Sequence, residues 1–224
     1  NPRRAGLLGW LFRYGLVVIV LLLIGVYGIG RGVYRHFAED LPPFEAIADY
    51  QAEAPGVTRI YASDGTLLAE LAVEHRSYAT YDQMPDQLVD AFLAAEDRRF
   101  WEQQGLDFRG LTRAIVVNIR SGSLVQGGST ITQQVAKQFL SHDRTLSRKL
   151  SEAILSLRME SRLEKSAILE IYMNKIFLGH GAYGVAAAAG RYFDKELEEL
   201  TLAECALIAG LANAPSRYSP VSSP

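Results

Sequence analysis

Residues 88–105 read LVDAFLAAEDRRFWEQQG. The first half has the spacing of an amphipathic helix, and the second half brings acids, bases and two aromatics together. Leu88, Phe92, Glu96 and Phe100 stand four residues apart and would form one row on a helix. Glu96 is then carried on the apolar stripe instead of opposite it. A carboxylate at the mouth of an apolar face is partly desolvated and suited to proton transfer. The same letters also fit a frayed helix end in which Glu96 and Asp97 pair with Arg98 and Arg99. Taken alone, the stretch leaves both readings open.

Downstream, QGGSTITQQVAKQF (126–139) sets two glycines before Ser129 and Thr130. Thr130 and Gln133 have capping-box spacing, which predicts a helix start. Flexible glycines beside a helix N-terminus let a ligand approach free amides, a favourable place for phosphate, and Lys137 two turns on adds charge. A plain, well-capped helix has the same letters. Next, RTLSRKLSEAILSLRMESRLEKSAILEIYMNKIFLG (144–179) begins cationic. From Leu150 to Leu163 it is apolar nearly all round, which predicts a largely buried helix. Glu152 inside such a helix needs a partner: Arg148 in a structural i, i+4 pair, a metal, or a substrate. Glu170, Tyr172 and Asn174 precede Gly179, which reads as a helix stop. GHGAYG (179–184) matches G-x-G-x-x-G, but it follows a helical pattern and has no βαβ unit around it, so it reads as a tight turn and not as a dinucleotide site.

Upstream, YGLVVIVLLLIGVYGIG (14–30) carries no charge. With GLLGWLF before it, the segment reaches the roughly 20 residues that span a bilayer, Arg13 snorkelling near one end. A cleaved signal peptide or a buried core helix would share this composition, but no small-x-small cleavage site follows and the run is long for a signal core. Arg3, Arg4 and Arg13 before the span, against Arg31 and Arg35 soon joined by acids after it, bias the N-terminus slightly to the cytoplasm. Residues 37–56, with three prolines and five acids, read as a connector. VTRIYASDGTLLAEL (57–71) alternates about Asp64-Gly65, a hairpin signal.

The 224 residues carry a formal net charge of −2, so no global basic field points to nucleic acid. A single cysteine, Cys205, excludes an internal disulfide and reads as a buried thiol in an apolar run. The four histidines are scattered, with no HExxH or CxxC spacing. Two carboxylates, several cations and a phosphate-friendly helix start, all beyond a membrane anchor, suit a reaction in which a hydroxyl attacks a sugar and a diphosphate leaves.

EDRRFWEQQGLD (96–107), GGSTITQQVAK (127–137), RKLSE (148–152), KSAILEIYMNKIFLG (165–179) and GAYGVAAAAGRYF (181–193) resemble, in that order, glycosyltransferase family 51. This is the peptidoglycan glycosyltransferase module of class A, bifunctional penicillin-binding proteins. The resemblance covers residues 83–220 and implies a mainly α, lysozyme-like, two-lobed domain, with a head and a membrane-associated jaw. It divides the chain into a cytoplasmic tail (1–13), a transmembrane anchor (14–35), a linker and β-hairpin region (36–82), the glycosyltransferase domain (83–220) and the start of a linker (221–224) toward a transpeptidase domain. It implies a single-pass protein of the bacterial cytoplasmic membrane, catalytic on the extracytoplasmic face, that polymerises lipid II into glycan strands with release of undecaprenyl diphosphate.

By the same resemblance Glu96 is the general base toward the acceptor's 4-hydroxyl, with inversion at the donor anomeric carbon, and Asp97 and Phe100 support it. Glu152 is the second carboxylate, acting with Arg148 or a divalent cation, magnesium or manganese. Lys137, Arg148 and Lys149 hold the diphosphate. Ser129, Thr130, Gln133 and Gln134 shape the donor site, and Lys165, Glu170, Tyr172 and Asn174 complete the cleft. Implied partners are lipid II and the growing strand, the bilayer, cell-wall synthesis proteins and moenomycin-type inhibitors, with no nucleic acid. One position departs from the family: Gln103 stands where a His is usual, and an amide hydrogen-bonds but carries no proton charge. No S-x-x-K or K-T-G signature occurs. A lytic transglycosylase or muramidase, and an inactive membrane-anchored scaffold, are the competing functional readings.

Overall fold

The computed structural model describes residues 2–39, 41–43, 47, 58–64, 66–71, 75–76, 78–123, 127–141, 145–215, 217–218 and 220. Among these are eight α-helices and four short strands. The chain divides into two units, Asn1–Leu41 and Pro42–Pro224.

The first unit is one helix, α1 (Pro2–Glu39). Within it Tyr14–Ala38 has a mean hydropathy of 2.3 and none of its most apolar window is buried, so α1 is long and apolar enough to cross a membrane and is not a core helix. Tyr27 and Ile29 expose about two-thirds of their surface to the surroundings.

The second unit begins, among described elements, with the hairpin of β1 (Thr58–Tyr61) and β2 (Leu67–Leu71), antiparallel with Thr58 opposite Leu71 and an irregularity at Ile60/Tyr61. The expected turn is present. Asp64 Oδ1 accepts from the Thr66 amide at 2.9 Å, the local side-chain bond that favours Asp in turns. That bond holds the Asp64 carboxyl below its ordinary pKa. Gly65 and the tail at 221–224 lie outside the described residues. A second pairing, parallel between β3 (His75–Arg76) and β4 (Ala182–Tyr183), is too short to leave a sequence pattern.

The helical body follows. Pro85 precedes α2 (Asp86–Glu96), whose apolar positions Leu88, Val89, Phe92 and Leu93 are buried. After it come α3 (Phe108–Ser121), α4 (Ile131–Gln138), α5 (Leu146–Glu160), α6 (Lys165–Lys175), α7 (Val185–Phe193) and α8 (Leu202–Leu211). α2 packs on α8, and α4 packs on both α5 and α6. The central helix is α6: every residue from Ile168 to Asn174 is buried. The expectation of an all-round buried helix over 150–163 fails for α5. Leu150 and Leu157 are each 45% exposed, because α5 gives one face to α4 and turns others outward. Cys205, in α8, is buried and free as expected, and burial pushes its thiol up.

Two glycines fix this packing. Gly105 has φ +80°, and a Cβ there would come within 3.0 Å of the Ser156 backbone on α5. Gly184 has φ +86°, and its Cβ would lie 2.7 Å from the Asn174 carbonyl oxygen. GHGAYG is thus a turn: the Gly184 amide donates to Ile176 O at 2.8 Å and the chain enters α7 directly.

Candidate active site

The helix carrying Glu96 stops at that residue. Asp97 leaves helical geometry at φ −156° while its amide still donates to Leu93 O. The expected four-residue helical row is therefore three residues long. Phe100 lies in the following turn, yet is fully buried because the turn curls back, its amide donating to Asp97 O at 3.1 Å. The break matters. It presents Glu96 at the rim of a cavity and directs Asp97 inward.

Asp97 is buried and organises the inside of that turn. Its Oδ2 accepts from the Ile131 amide at the start of α4 (3.1 Å) and from Gln103 Nε2. Burial pushes the Asp97 carboxyl above its ordinary range, and those two hydrogen bonds oppose the shift. The Gln103 amide thus fills the departing position as a buried donor to Asp97, a task that needs no proton charge.

The capping box at the start of α4 is formed as read: Gln133 N donates to Thr130 Oγ1 at 3.1 Å, and Thr130 N to Gln133 Oε1 at 3.0 Å. Thr130 Oγ1 in turn donates to Gly105 O at 2.7 Å, tying the Glu96 turn to α4. Here an expectation is corrected. The amides of Ile131 and Gln133 are occupied by Asp97 and Thr130, so they do not stand free for a phosphate.

One turn into α4, Gln134 Nε2 donates to Glu96 Oε2 at 2.8 Å. The other carboxylate oxygen, Oε1, is buried and has no hydrogen-bond partner among the described residues. Two cavities meet at Gln134 and Ser129, which line both. The cavity on the Glu96 side, about 640 Å³, is lined also by Asp97, Arg98, Arg99, Asp107, Arg113, Gly127, Gly128, Thr130 and Asn213. The other, about 790 Å³, is lined by Lys137, Arg148, Lys149, Glu152, Thr145 and their neighbours. Three cations therefore converge on a cavity beside the one that holds Glu96. Among the described residues Lys137 has no ion-pair or hydrogen-bond partner.

Glu152 is 3% exposed, and its Oε1 accepts from Lys149 Nζ, which also donates to Ser129 Oγ at 3.1 Å. The ion pair seen at Glu152 is thus formed with its i−3 neighbour Lys149, whereas spacing alone offered Arg148 at i−4. Among the described residues no three His, Cys, Asp or Glu side chains group to hold a metal ion.

The four residues expected to complete the cleft are placed elsewhere. Lys165 Nζ donates to Glu160 Oε1 at 2.7 Å and lies 4.4 Å from the Phe100 ring centroid. Glu170 accepts from the Tyr81 amide at 2.6 Å and from Tyr78 Oη. Asn174 exchanges hydrogen bonds with the Ala79 backbone at 2.9 and 2.7 Å. These three clamp residues 78–81 and the Glu96 turn onto α5 and α6. They line neither cavity, because α6 is buried. Tyr172 is fully buried against Phe92, with ring centroids 6.0 Å apart.

Residue types alone could not have pointed to Arg113, Asp107 or Asn213. Arg113 and Asp107 reach the cavity from α3 and its N-cap, and Asn213 from beyond the end of α8. Arg98 and Arg99 were legible as partners for Glu96 and Asp97, but Arg99 instead binds Asp107 Oδ1 at 2.8 Å. α3 also carries an uncovered apolar face: Phe108, Ile115 and Ile119 are 69%, 50% and 76% exposed.

A family model described as "Transglycosylase" matches residues 64–224. The chain is 45% identical over 212 residues to penicillin-binding protein 1A of Escherichia coli (strain K12), covering 94% of this chain and 25% of that protein. It is 45% identical over 208 residues to penicillin-binding protein 1A of Rickettsia felis, covering 91% of this chain and 26% of that one. The chain thus spans about a quarter of the length of these relatives. A crystal structure of penicillin-binding protein 1A from Haemophilus influenzae aligns with 75% of this chain and 16% of its own, at 30% identity and a TM-score of 0.39.

Proposed function

The chain belongs to the transglycosylase family, and we propose from that premise that it polymerises lipid II into glycan strands with release of undecaprenyl diphosphate. The observation that carries the reading is the pair of cavities joined at Ser129 and Gln134: one holds a carboxylate with a free oxygen, the other holds three cations. A proton acceptor beside an anion site is what transfer from a diphosphate donor to a hydroxyl acceptor requires.

In this mechanism Glu96 Oε1 takes the proton of the acceptor's 4-hydroxyl, while Gln134 holds Oε2 in place. The acceptor oxygen attacks the donor's anomeric carbon from the face opposite the leaving group. The bond to the diphosphate oxygen breaks as the new glycosidic bond forms, and configuration inverts. The diphosphate leaves with its charge met by Lys137, Arg148 and Lys149, the cations that line the neighbouring cavity. Glu152 positions Lys149 through their ion pair. Glu152 and Ser129 would be the residues to hold a divalent cation, magnesium or manganese, and the ion would supply further charge neutralisation, but among the described residues no second carboxylate joins Glu152 there. The apolar helix α1 is read as a membrane anchor and the uncovered face of α3 as a surface that meets the bilayer, where the lipid substrate resides.

The test is a polymerisation assay on the full chain in detergent or liposomes. Strands made from lipid II, with no cleavage of finished wall, are the expected result. Digestion of wall without strand synthesis would turn the reading to a muramidase. Lys137→Ala is expected to weaken binding of a moenomycin-type phosphoglycolipid about tenfold or more, since a charged hydrogen bond to phosphate contributes about 1.5–3 kcal/mol. Titration by fluorescence anisotropy reads this directly, and an unchanged Kd would remove Lys137 from the anion site.

A further inference from the structure

Three arginines line the Glu96 cavity, and the protein itself engages two of them. Arg99 Nη1 pairs with Asp107 Oδ1 at 2.8 Å, and its Nε with Glu102 Oε2 at 3.1 Å. Arg98 folds back along α2, its Nε donating to Ala94 O at 3.1 Å. Arg113 has no ion-pair or hydrogen-bond partner among the described residues. The acids that share the cavity are committed elsewhere: Asp107 to Arg99, and Asp97 to Ile131 and Gln103. Glu96 accepts from Gln134 and keeps Oε1 unpartnered. Close packing brings Arg113 to this wall. A Cβ at Gly128 would meet Leu111 Cα at 3.4 Å and Ala114 Cβ at 3.6 Å, so the segment leading to Ser129 lies directly on α3. Arg113 stands between those two contact residues in sequence, and the exposed apolar Leu111 and Ile115 flank it two positions away on either side. Proton transfer to Glu96 uses no cation, and the leaving diphosphate is met in the other cavity. Arg113 therefore has no part in the steps drawn above.

We propose that Arg113 binds the diphosphate of the acceptor, so that the Glu96 cavity holds an anion site of its own beside the cationic cavity of the donor. The inference rests on the reading of the chain as a lipid II polymerase with Glu96 as base. Both molecules joined in that reaction derive from lipid II, so an incoming acceptor unit carries a diphosphate too. A guanidinium presents a planar fork that takes two phosphate oxygens at once. Held there, the acceptor is fixed at its lipid-linked end, while the 4-hydroxyl at the far end of its disaccharide is left to meet Glu96 Oε1. The carboxylates of the peptide stem are the other anions on this molecule. The diphosphate fits better, because it joins the sugar to the lipid and so lies at the bilayer surface. That is the level at which the uncovered apolar face of α3, with Leu111 and Ile115, is read as meeting the membrane. Arg113 thereby sets specificity: it favours an acceptor that still carries its diphosphate over a neutral sugar end.

The experiment is a single-coupling assay on the full chain in detergent. The donor is lipid II with its 4-hydroxyl methylated, which can donate but not accept. Three acceptors are compared: lipid II, the same disaccharide-peptide as a methyl glycoside without diphosphate, and a lipid-linked disaccharide diphosphate without the peptide stem. The parent chain is expected to show an acceptor KM about tenfold lower or better for the two diphosphates than for the methyl glycoside. Arg113→Met is expected to raise the KM of both diphosphates about tenfold. It should leave the methyl glycoside and the donor-site affinity for a moenomycin-type phosphoglycolipid within a factor of about two. Arg113→Lys, which keeps the charge but loses the fork, should fall between. Equal loss on all three acceptors would overturn the proposal, leaving Arg113 a membrane or folding contact, and so would a loss confined to kcat. A loss that follows the peptide stem would overturn it in favour of a stem carboxylate. If the parent chain couples none of the acceptors, the lipid II reading itself fails. If it couples them all with no preference for diphosphate, the Arg113 inference alone fails.

Discussion

Glu96→Gln is expected to lower strand synthesis from lipid II by roughly 10²–10⁴-fold, the range a positioned general base contributes, while leaving the fold intact. The substitution keeps the side chain's shape. Gln134 Nε2 can still donate to the new amide oxygen as it does to Oε2, so the cavity rim is preserved. What disappears is the basic lone pair on Oε1. Asp97 is in no position to replace it: Asp97 Oδ2 is engaged by the Ile131 amide and Gln103, and the side chain points into the turn. Binding at the neighbouring cationic cavity draws on Lys137, Arg148 and Lys149, so affinity for a phosphoglycolipid should stay within a factor of about two. A time course of strand formation, with anisotropy binding and thermal melting on the same preparation, checks all three. Activity within threefold of the parent would sink the base assignment. Lost binding together with lost activity would mean the two cavities are coupled more tightly than the shared Ser129 and Gln134 suggest.

The helical body was legible because its signals are local. Thr130 and Gln133 announce a cap that needs only four consecutive residues, and the structure forms it with both bonds. Asp64 announces a turn in the same way. The helix boundary after Glu96 stayed open in the sequence for a long-range reason. The apolar row continues to Phe100, but the chain breaks at Asp97, whose carboxylate is claimed by an amide 34 residues away at Ile131. Helix propensity alone cannot register that competitor. The same limit explains Lys165, Glu170 and Asn174. Polar residues at a motif's end look like cleft residues, yet their partners are Glu160, the Tyr81 amide and the Ala79 backbone, brought there by tertiary packing. Arg113 and Asn213 were invisible because nothing near them in sequence differs from an ordinary helix surface or loop. The cation cluster was half legible. RKL signals charge, but which cation meets Glu152 depends on rotamers, and Lys149 at i−3 reaches it.

Glu152→Gln separates a structural pair from a working carboxylate. The pair is asymmetric: the Glu152 side chain is 4% exposed and that of Lys149 is 52% exposed. Removing the buried charge leaves a lysine that water can solvate, and its Ser129 contact survives. The stability cost should therefore be small, about 1 kcal/mol or less, as for pairs with one exposed member. Removing the exposed charge, in Lys149→Met, instead strands Glu152 in the interior and should cost more. If the pair served stability alone, the loss of strand synthesis in Glu152→Gln would be no larger than its small loss of melting temperature accounts for. On the proposed mechanism the two separate. Glu152 holds Lys149 against the leaving diphosphate and is the only acid among the described residues lining that cavity, so Glu152→Gln is expected to lose roughly 100-fold in turnover, about 2.7 kcal/mol of transition-state stabilisation, while melting within a few degrees of the parent. Near-parental turnover with a lowered melting temperature would return Glu152 to a purely structural role and leave the diphosphate to Lys137 and Arg148.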